Sequence, residues 1–221
     1  MVGYSRKVVL FAFVLSFYIP DLSLAEQQNS PLQERLQLVM ARPDSRQQAS
    51  YAGQDRALIC SYCHGEDGNS VKPDVPNLAG QNPGYLLEQI GRFASGERKD
   101  FVMNSLASKF TEQDQINLAI YYSSKKVQPE KYDRNMARQG KGLYLKQCQS
   151  CHGTQGRGNT GYARLAGQKQ AYIKNTLTRF RANAGAGKVD KKRRSTIMEP
   201  IASGLSDRDI QTLAAYLASL R

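Results

Sequence analysis

One six-residue sequence occurs twice in this chain. Cys60-Ser61-Tyr62-Cys63-His64-Gly65 returns 88 positions on as Cys148-Gln149-Ser150-Cys151-His152-Gly153. Leu78-Ala79-Gly80-Gln81 returns as Leu165-Ala166-Gly167-Gln168 at an offset of 87, and at that offset Tyr85 matches Tyr172 and Arg92-Phe93 matches Arg179-Phe180. Beyond this the second copy is longer by eight residues. With that insertion allowed, Met103 aligns with Met198, Thr111 with Ser206, Asp114 with Asp209 and Tyr121 with Tyr216. Self-similarity at this spacing makes the chain an internal duplication, so whatever the unit folds into must form twice.

The pattern within each copy predicts a helix, the cysteine motif, a long loop, a helix, a methionine loop and a last helix, with no strand. In the second copy Ser206 is the expected N-cap of the last helix, with Asp209 three residues on and Ile210, Leu213, Ala214 and Leu217 along one stripe. Thr111, Asp114, Leu118, Ala119 and Tyr122 repeat that layout in the first copy. The middle helices fall over Tyr85 to Phe93 and Tyr172 to Phe180, with Gly91 a weak point in the first. The fold class expected is all-α, two tandem domains related by a pseudo-twofold.

Between the copies Ser123-Ser124-Lys125-Lys126-Val127-Gln128-Pro129-Glu130 is polar, and its proline is expected to stop the preceding helix. This places a first domain over 51–124, a linker over 125–133 and a second domain over 134–221. Ahead of them, residues 26–50 form an extension in which Ser30-Pro31 starts a docked helix with Leu32, Leu36, Val39 and Met40 as its apolar stripe. At the N-terminus Arg6 and Lys7 precede an apolar stretch from Val8 to Ile19, then Pro20 and Ser23-Leu24-Ala25, which reads as a signal peptide over 1–25 cleaved after Ala25. The apolar stretch falls short of the roughly 20 residues of a spanning helix. The expected location is the periplasm, with at most peripheral membrane association.

The chain holds four cysteines and two histidines, and all six lie inside the repeated motif. Cys-x-x-Cys-His is the attachment signal of c-type haem: two thiols add to the porphyrin vinyl groups and the histidine becomes the proximal iron ligand. Residues i and i+3 of a helical turn project from one face, so both sulfurs reach the macrocycle edge together. Zinc sites also use Cys-x-x-Cys pairs, and an exported protein commonly forms disulfides, but neither these nor a dithiol redox pair needs a histidine fixed after each pair. The reading is two covalent haems, on Cys60, Cys63 and His64 and on Cys148, Cys151 and His152.

An iron that shuttles electrons takes a sixth ligand, and no third histidine exists to supply it. Methionine is the natural alternative, and its thioether raises the reduction potential. Met40 and Met136 precede their motifs, whereas Met103 and Met198 occupy matched positions between the middle and last helices. Core packing is the commoner fate of a single methionine; two aligned ones favour ligation, giving iron ligands His64, Met103, His152 and Met198. Each imidazole also needs a carbonyl to orient it, and Pro76 is the candidate near His64.

With its two Cys-x-x-Cys-His-Gly motifs, paired Leu-Ala-Gly-Gln segments and paired methionines ahead of helices ending near Tyr121 and Tyr216, the chain resembles the class I cytochromes c and, over nearly its whole mature length, the dihaem cytochrome c4 family. The resemblance implies two helical haem domains about a pseudo-twofold axis, haem propionates near their interface, His/Met ligation by the residues above, and delivery of electrons to a terminal oxidase. It also implies that the proline carbonyl after the motif accepts from the proximal histidine. The second copy departs from this in having Ala163 where the first has Pro76.

Charge divides the copies: 12 basic and 14 acidic residues from Glu26 to Asp133, but 17 basic and 4 acidic from Arg134 to Arg221. A sequence pI near 9.6 suggests nucleic acid at first sight, but export and haem argue against it. A basic redox lobe instead fits an acidic partner surface. The run Lys188, Lys191, Lys192, Arg193 and Arg194, just before Met198, is the expected centre of that docking face. With both irons closed by methionine and no spare histidine, cysteine or carboxylate pair to mark a substrate site, a non-enzymatic carrier between a membrane quinol-oxidising complex and a terminal oxidase is favoured. The alternative is a haem subunit of a sulfur-compound dehydrogenase or another exported oxidoreductase.

Overall fold

The computed structural model describes Met1, residues 30–185 and residues 192–221. The expected leader with its cleavage site, and Lys188 and Lys191 of the basic insertion, lie outside the described residues. Among the described residues all regular structure is helical, apart from one isolated bridge between Asn159 and Tyr162. No described helix is long and apolar enough to cross a membrane.

Ser30 caps α1 (Pro31–Ala41) by accepting from the Gln33 amide, with Pro31 in the first turn where its missing N–H costs nothing. Leu36 is fully buried, and Leu32, Val39 and Met40 pack against the first core as the stripe requires. The extension holds a second helix that was not expected. α2 (Pro43–Arg56) starts afresh at Pro43 and runs through the boundary expected at residue 50. Its sequence, PDSRQQASYAGQDR, has no apolar stripe to betray it.

What α2 has instead is a bare point of contact. A Cβ on Gly53 would lie 2.2 Å from the Asn117 carbonyl oxygen of α6 (Glu112–Ser123), so the two helices cross closer than any side chain permits. The second copy repeats the crossing: a Cβ on Gly140 of α7 (Arg134–Gln147) would lie 2.2 Å from the Thr212 carbonyl oxygen of α11 (Asp207–Ser219). Around each crossing sits a separate core. Ile116, Leu118, Ala119 and Ile120 of α6 join Leu86 and Leu87 of α4 (Pro83–Ala94) in the first. Ile210, Leu213, Ala214 and Leu217 of α11 join Ile173 and Phe180 of α9 (Gln170–Ala184) in the second. Both last helices start in a capping box, Thr111 with Asp114 and Ser206 with Asp209, which satisfies two N-terminal amide groups reciprocally.

The copies meet through the repeated Leu-Ala-Gly-Gln segments, and the bonding is twofold. Gln81 accepts from the Arg164 amide at 2.6 Å and donates to the Arg164 carbonyl at 2.9 Å. Gln168 does the same to Asn77, the mate of Arg164, at 2.8 and 2.9 Å. Gly80 and Gly167, both with positive φ, close against opposite methyl groups of Val127, which lies between them.

The linker is therefore part of the joint. Lys126 and Gln128 bond to Asn69, Glu130 pairs with Lys169 at 2.6 Å, and the Lys131 carbonyl accepts from Gln170. Pro129 is not what stops α6, which ends at Ser123. The hydroxyls of Ser123 and Ser124 take the last-turn carbonyls of Ile120 and Tyr121.

The glycine crossing gives a direct test. Gly140→Ala is expected to destabilise the second copy by about 1–3 kcal/mol through overpacking, lowering its melting transition in calorimetry. Gly142→Ala, at an open position of the same helix, should not.

Candidate functional site

The motif helices are α3 (Leu58–His64) and the single turn α8 (Gln149–His152), each ending at a glycine directly after its histidine. None of the four half-buried cysteines pairs in a disulfide, so all four sulfurs are available for attachment. His64 and His152 are only 7 % and 8 % exposed. His64 Nδ1 lies 2.9 Å from the Pro76 carbonyl oxygen and His152 Nδ1 lies 2.9 Å from that of Ala163. The proline-to-alanine change leaves the bond length equal because the acceptor is main chain. With Nδ1 donating, the lone pair is on Nε2, and burial lowers both histidine pKa values, favouring the neutral, ligating ring.

The loops behind the histidines are tied in the same way. The Gly68 carbonyl accepts from the Leu78 and Ala79 amides, and the Gly156 carbonyl from those of Leu165 and Ala166. Ser70 also donates to the Cys63 carbonyl, and the Tyr162 ring stands edge-on to His152 with centroids 6.1 Å apart.

Met103 and Met198 are half-buried, each in the first turn of a short helix, α5 (Phe101–Ala107) and α10 (Met198–Ser203). Their amide groups are held by matched residues, Met103 by Asp100 at 3.0 Å and Met198 by Ser195 at 3.1 Å. Arg98 and Asp100, in the loop leading to Met103, are close enough to bias the His64 proton in opposite directions. Met40 instead packs in the first core, and Met136 sits in the first turn of α7 with its amide on Asp133.

The residue after each methionine was missed in the sequence. Asn104 donates to the Phe93 and Arg98 carbonyls and accepts from the Asp100 amide. Glu199, buried, accepts from Arg194 and from the Ser195 amide. Both fasten the methionine loop, and neither has a motif around it. Arg193, expected on an exposed docking face, is turned inward: it donates to the Tyr172 and Tyr85 hydroxyls at 2.5 and 2.6 Å.

This donor set fits haem iron and little else. Each copy offers one imidazole nitrogen and two thiols within a turn, and no cluster of three or more His, Cys, Asp or Glu side chains able to hold a metal exists among the described residues. The two Cys-x-x-Cys pairs do not converge on one zinc site. A metal held here must bring most of its own ligands, as iron in a porphyrin does.

Residues 137–221 match the family model of cytochrome c. The fold and its two motif sites are those of an electron-transfer protein, a c-type cytochrome in two tandem domains with two covalently attached haems c and their irons. The chain is 35 % identical to cytochrome c4 of Pseudomonas aeruginosa, a match covering 76 % of this chain and 87 % of that one. It belongs to the cytochrome c4 family. The crystal structure of reduced recombinant cytochrome c4 from Pseudomonas stutzeri aligns with a TM-score of 0.70 at 34 % identity, over 78 % of this chain and 98 % of that chain. A thiosulfate dehydrogenase electron acceptor of Stutzerimonas stutzeri is 29 % identical over 74 % of this chain and 80 % of its own length.

The loop fastening generates a prediction. Asn104→Ala leaves the Phe93 and Arg98 carbonyls without their donor and should destabilise the first domain by about 1–3 kcal/mol. Hydrogen exchange should quicken over residues 95–106 and stay unchanged over 198–203.

Proposed function

We propose that this cytochrome is a periplasmic electron carrier that takes electrons from a membrane quinol-oxidising complex and passes them to a terminal oxidase. Its haems are attached through Cys60 and Cys63 and through Cys148 and Cys151, with His64 and Met103 ligating one iron and His152 and Met198 the other. The observation that carries this reading is the repeated site: in both copies a buried imidazole with Nε2 left free is matched by a methionine held on a capped turn. A methionine-closed iron changes charge with little movement of its ligands and has no position for substrate. The leader over 1–25 supports export, and the close crossing of α2 on α6 supports counting α2 with the first domain.

A second reading is favoured by one finding. Relatives that bear the name of thiosulfate dehydrogenase electron acceptor match along most of this chain, which supports a redox enzyme, such as a sulfur-compound dehydrogenase, as electron donor. Purification at native ionic strength separates the two: a stable heteromer with a dehydrogenase supports the second, a monodisperse monomer the first.

Ligation is tested by Met103→Ala and Met198→Ala. Each should open one iron to exogenous imidazole or cyanide and lower the potential of that haem, because the thioether stabilises the ferrous state. Cys60→Ser with Cys63→Ser should leave one covalent haem per chain by pyridine haemochrome assay. The opposite result, a change in ligation with Met40→Ala or Met136→Ala, would refute the assignment.

The docking face on the second domain is narrowed to Lys188, Lys191 and Lys192 by the inward turn of Arg193 and the pairing of Arg194 with Glu199. Reversing Lys188, Lys191 and Lys192 to glutamate should slow electron transfer to an acidic acceptor at low salt and flatten its salt dependence, since such steering is screened beyond about 8–10 Å at physiological ionic strength. Equal rates and salt slopes in stopped-flow would count against it.

A further inference from the structure

Each copy buries a pair of tyrosines in its core, and the two pairs are drawn from different helices. Tyr121 and Tyr122 both belong to α6, with ring centroids 5.0 Å apart. In the second copy Tyr216 of α11, the mate of Tyr121, meets Tyr144 of α7 at 5.2 Å. Counted from the crossing glycines, the mate of Tyr144 is Ala57, and through the eight-residue insertion the mate of Tyr122 is Leu217. The first copy therefore pairs a small residue of its first helix with a tyrosine of its last, whereas the second pairs a tyrosine with a leucine. All four of these side chains are buried.

The exchange moves a hydroxyl, and the two hydroxyls end differently. That of Tyr144 donates to the main-chain carbonyl of Gly153, the residue after His152, at 2.5 Å. That of Tyr122 is buried, and no oxygen or nitrogen among the described residues bonds to it. Its ring is wedged under the loop behind His64, where a Cβ on Gly68 would lie 2.7 Å from Tyr122 Cδ1, so it has no room to turn away. What the hydroxyl faces is the Cys60 sulfur. Burial, and then Cys60 itself, hold the phenol above its ordinary range, so the proton stays on the oxygen. A buried donor without an acceptor is destabilising, and leucine at the mate's place shows that the fold has no need of a donor there. A thioether sulfur is an acceptor, weak in water and stronger where water is excluded.

We propose that Tyr122 is a positioning residue of the first haem, whose hydroxyl donates to the Cys60 sulfur once that sulfur is bonded to the porphyrin and thereby raises the reduction potential of that haem alone. The proposal rests on the attachment of a haem at Cys60. A donated hydrogen bond draws electron density from the thioether and so from the macrocycle, which favours the ferrous state. Hydrogen bonding behind the ligands and burial are among the levers by which a protein sets such a potential. The Tyr144 hydroxyl is already taken by a carbonyl and Leu217 has none to give, so the second haem lacks this bond. Two sites with the same types of ligand are made unequal by one oxygen atom.

The test is spectroelectrochemical titration of the full dihaem protein carrying Tyr122→Phe, which removes that oxygen and nothing else. Two covalent haems in the wild type, by pyridine haemochrome assay, establish the attachment on which the proposal rests; fewer would condemn that attachment, whatever the variant does. Cys60→Ser with Cys63→Ser removes the first haem, and the midpoint that remains identifies the second. Tyr122→Phe should shift the first midpoint to lower potential, leave the second in place and leave the melting temperature no higher. Tyr121→Phe removes the neighbouring hydroxyl, which donates to the Glu66 carbonyl, and should move neither midpoint. Should the phenylalanine variant fail to mature, Tyr122→Leu installs the mate's residue and should lower the same midpoint. Unchanged midpoints would overturn the proposal, and a raised melting temperature beside them would show that the hydroxyl is unbonded and its removal relieves the fold. Equal shifts of both midpoints would overturn it as well, since the effect would then lie in the fold at large.

Discussion

The glycine crossing of the first and last helices governs the rest of each domain. Gly53 on Asn117 and Gly140 on Thr212 bring two backbones together where any side chain would hold them apart. The motif helix follows directly from the end of α2 or α7, and the methionine loop leads directly into α6 or α11. Fixing the crossing therefore fixes the two segments that carry the proposed iron ligands on one rigid frame.

The joint between domains is built from polar bonds rather than apolar area. Gln81 and Gln168 each meet both main-chain groups of a residue in the other copy, so neither amide leaves a buried donor or acceptor unsatisfied. Such paired bonds fix orientation more sharply than a greasy contact would. Val127 and the Glu130–Lys169 pair make the linker a third component of the same joint. The domains also differ in charge, near neutral against strongly basic.

What the sequence disclosed and what it hid follow from the range of the interactions involved. Cys-x-x-Cys-His is local and covalent in consequence, so it could be read from six residues. The capping boxes at Thr111 and Ser206 are local too. The methionines became visible through repetition. By contrast α2 carries no apolar stripe, because its contact is made by a glycine whose only signal is the lack of a side chain. Gln81 and Gln168 were seen as a repeat, but their role depends on residues more than eighty positions away. Arg193 was misread for a plain reason: it stands in a run of basic residues, and only the alignment of Arg98 through the eight-residue insertion separates it from its neighbours.

Comparison of the two copies shows what is constrained at each site. The imidazoles are oriented by proline in one copy and alanine in the other, at the same distance. The methionine turns are capped by aspartate in one and serine in the other. Behind them an amide in one copy and a carboxylate in the other fasten the loop. In each case the bond persists while the residue changes, so duplication has kept the geometry of the site and released the identity of the residues behind it. The glutamines, tyrosines and arginines of the joint behave oppositely: their identities match in both copies. Residues kept identical on both sides of the twofold are those whose side chains bond across the joint, Gln81 and Gln168 to main-chain groups and Tyr85, Tyr172, Arg98 and Arg193 to one another.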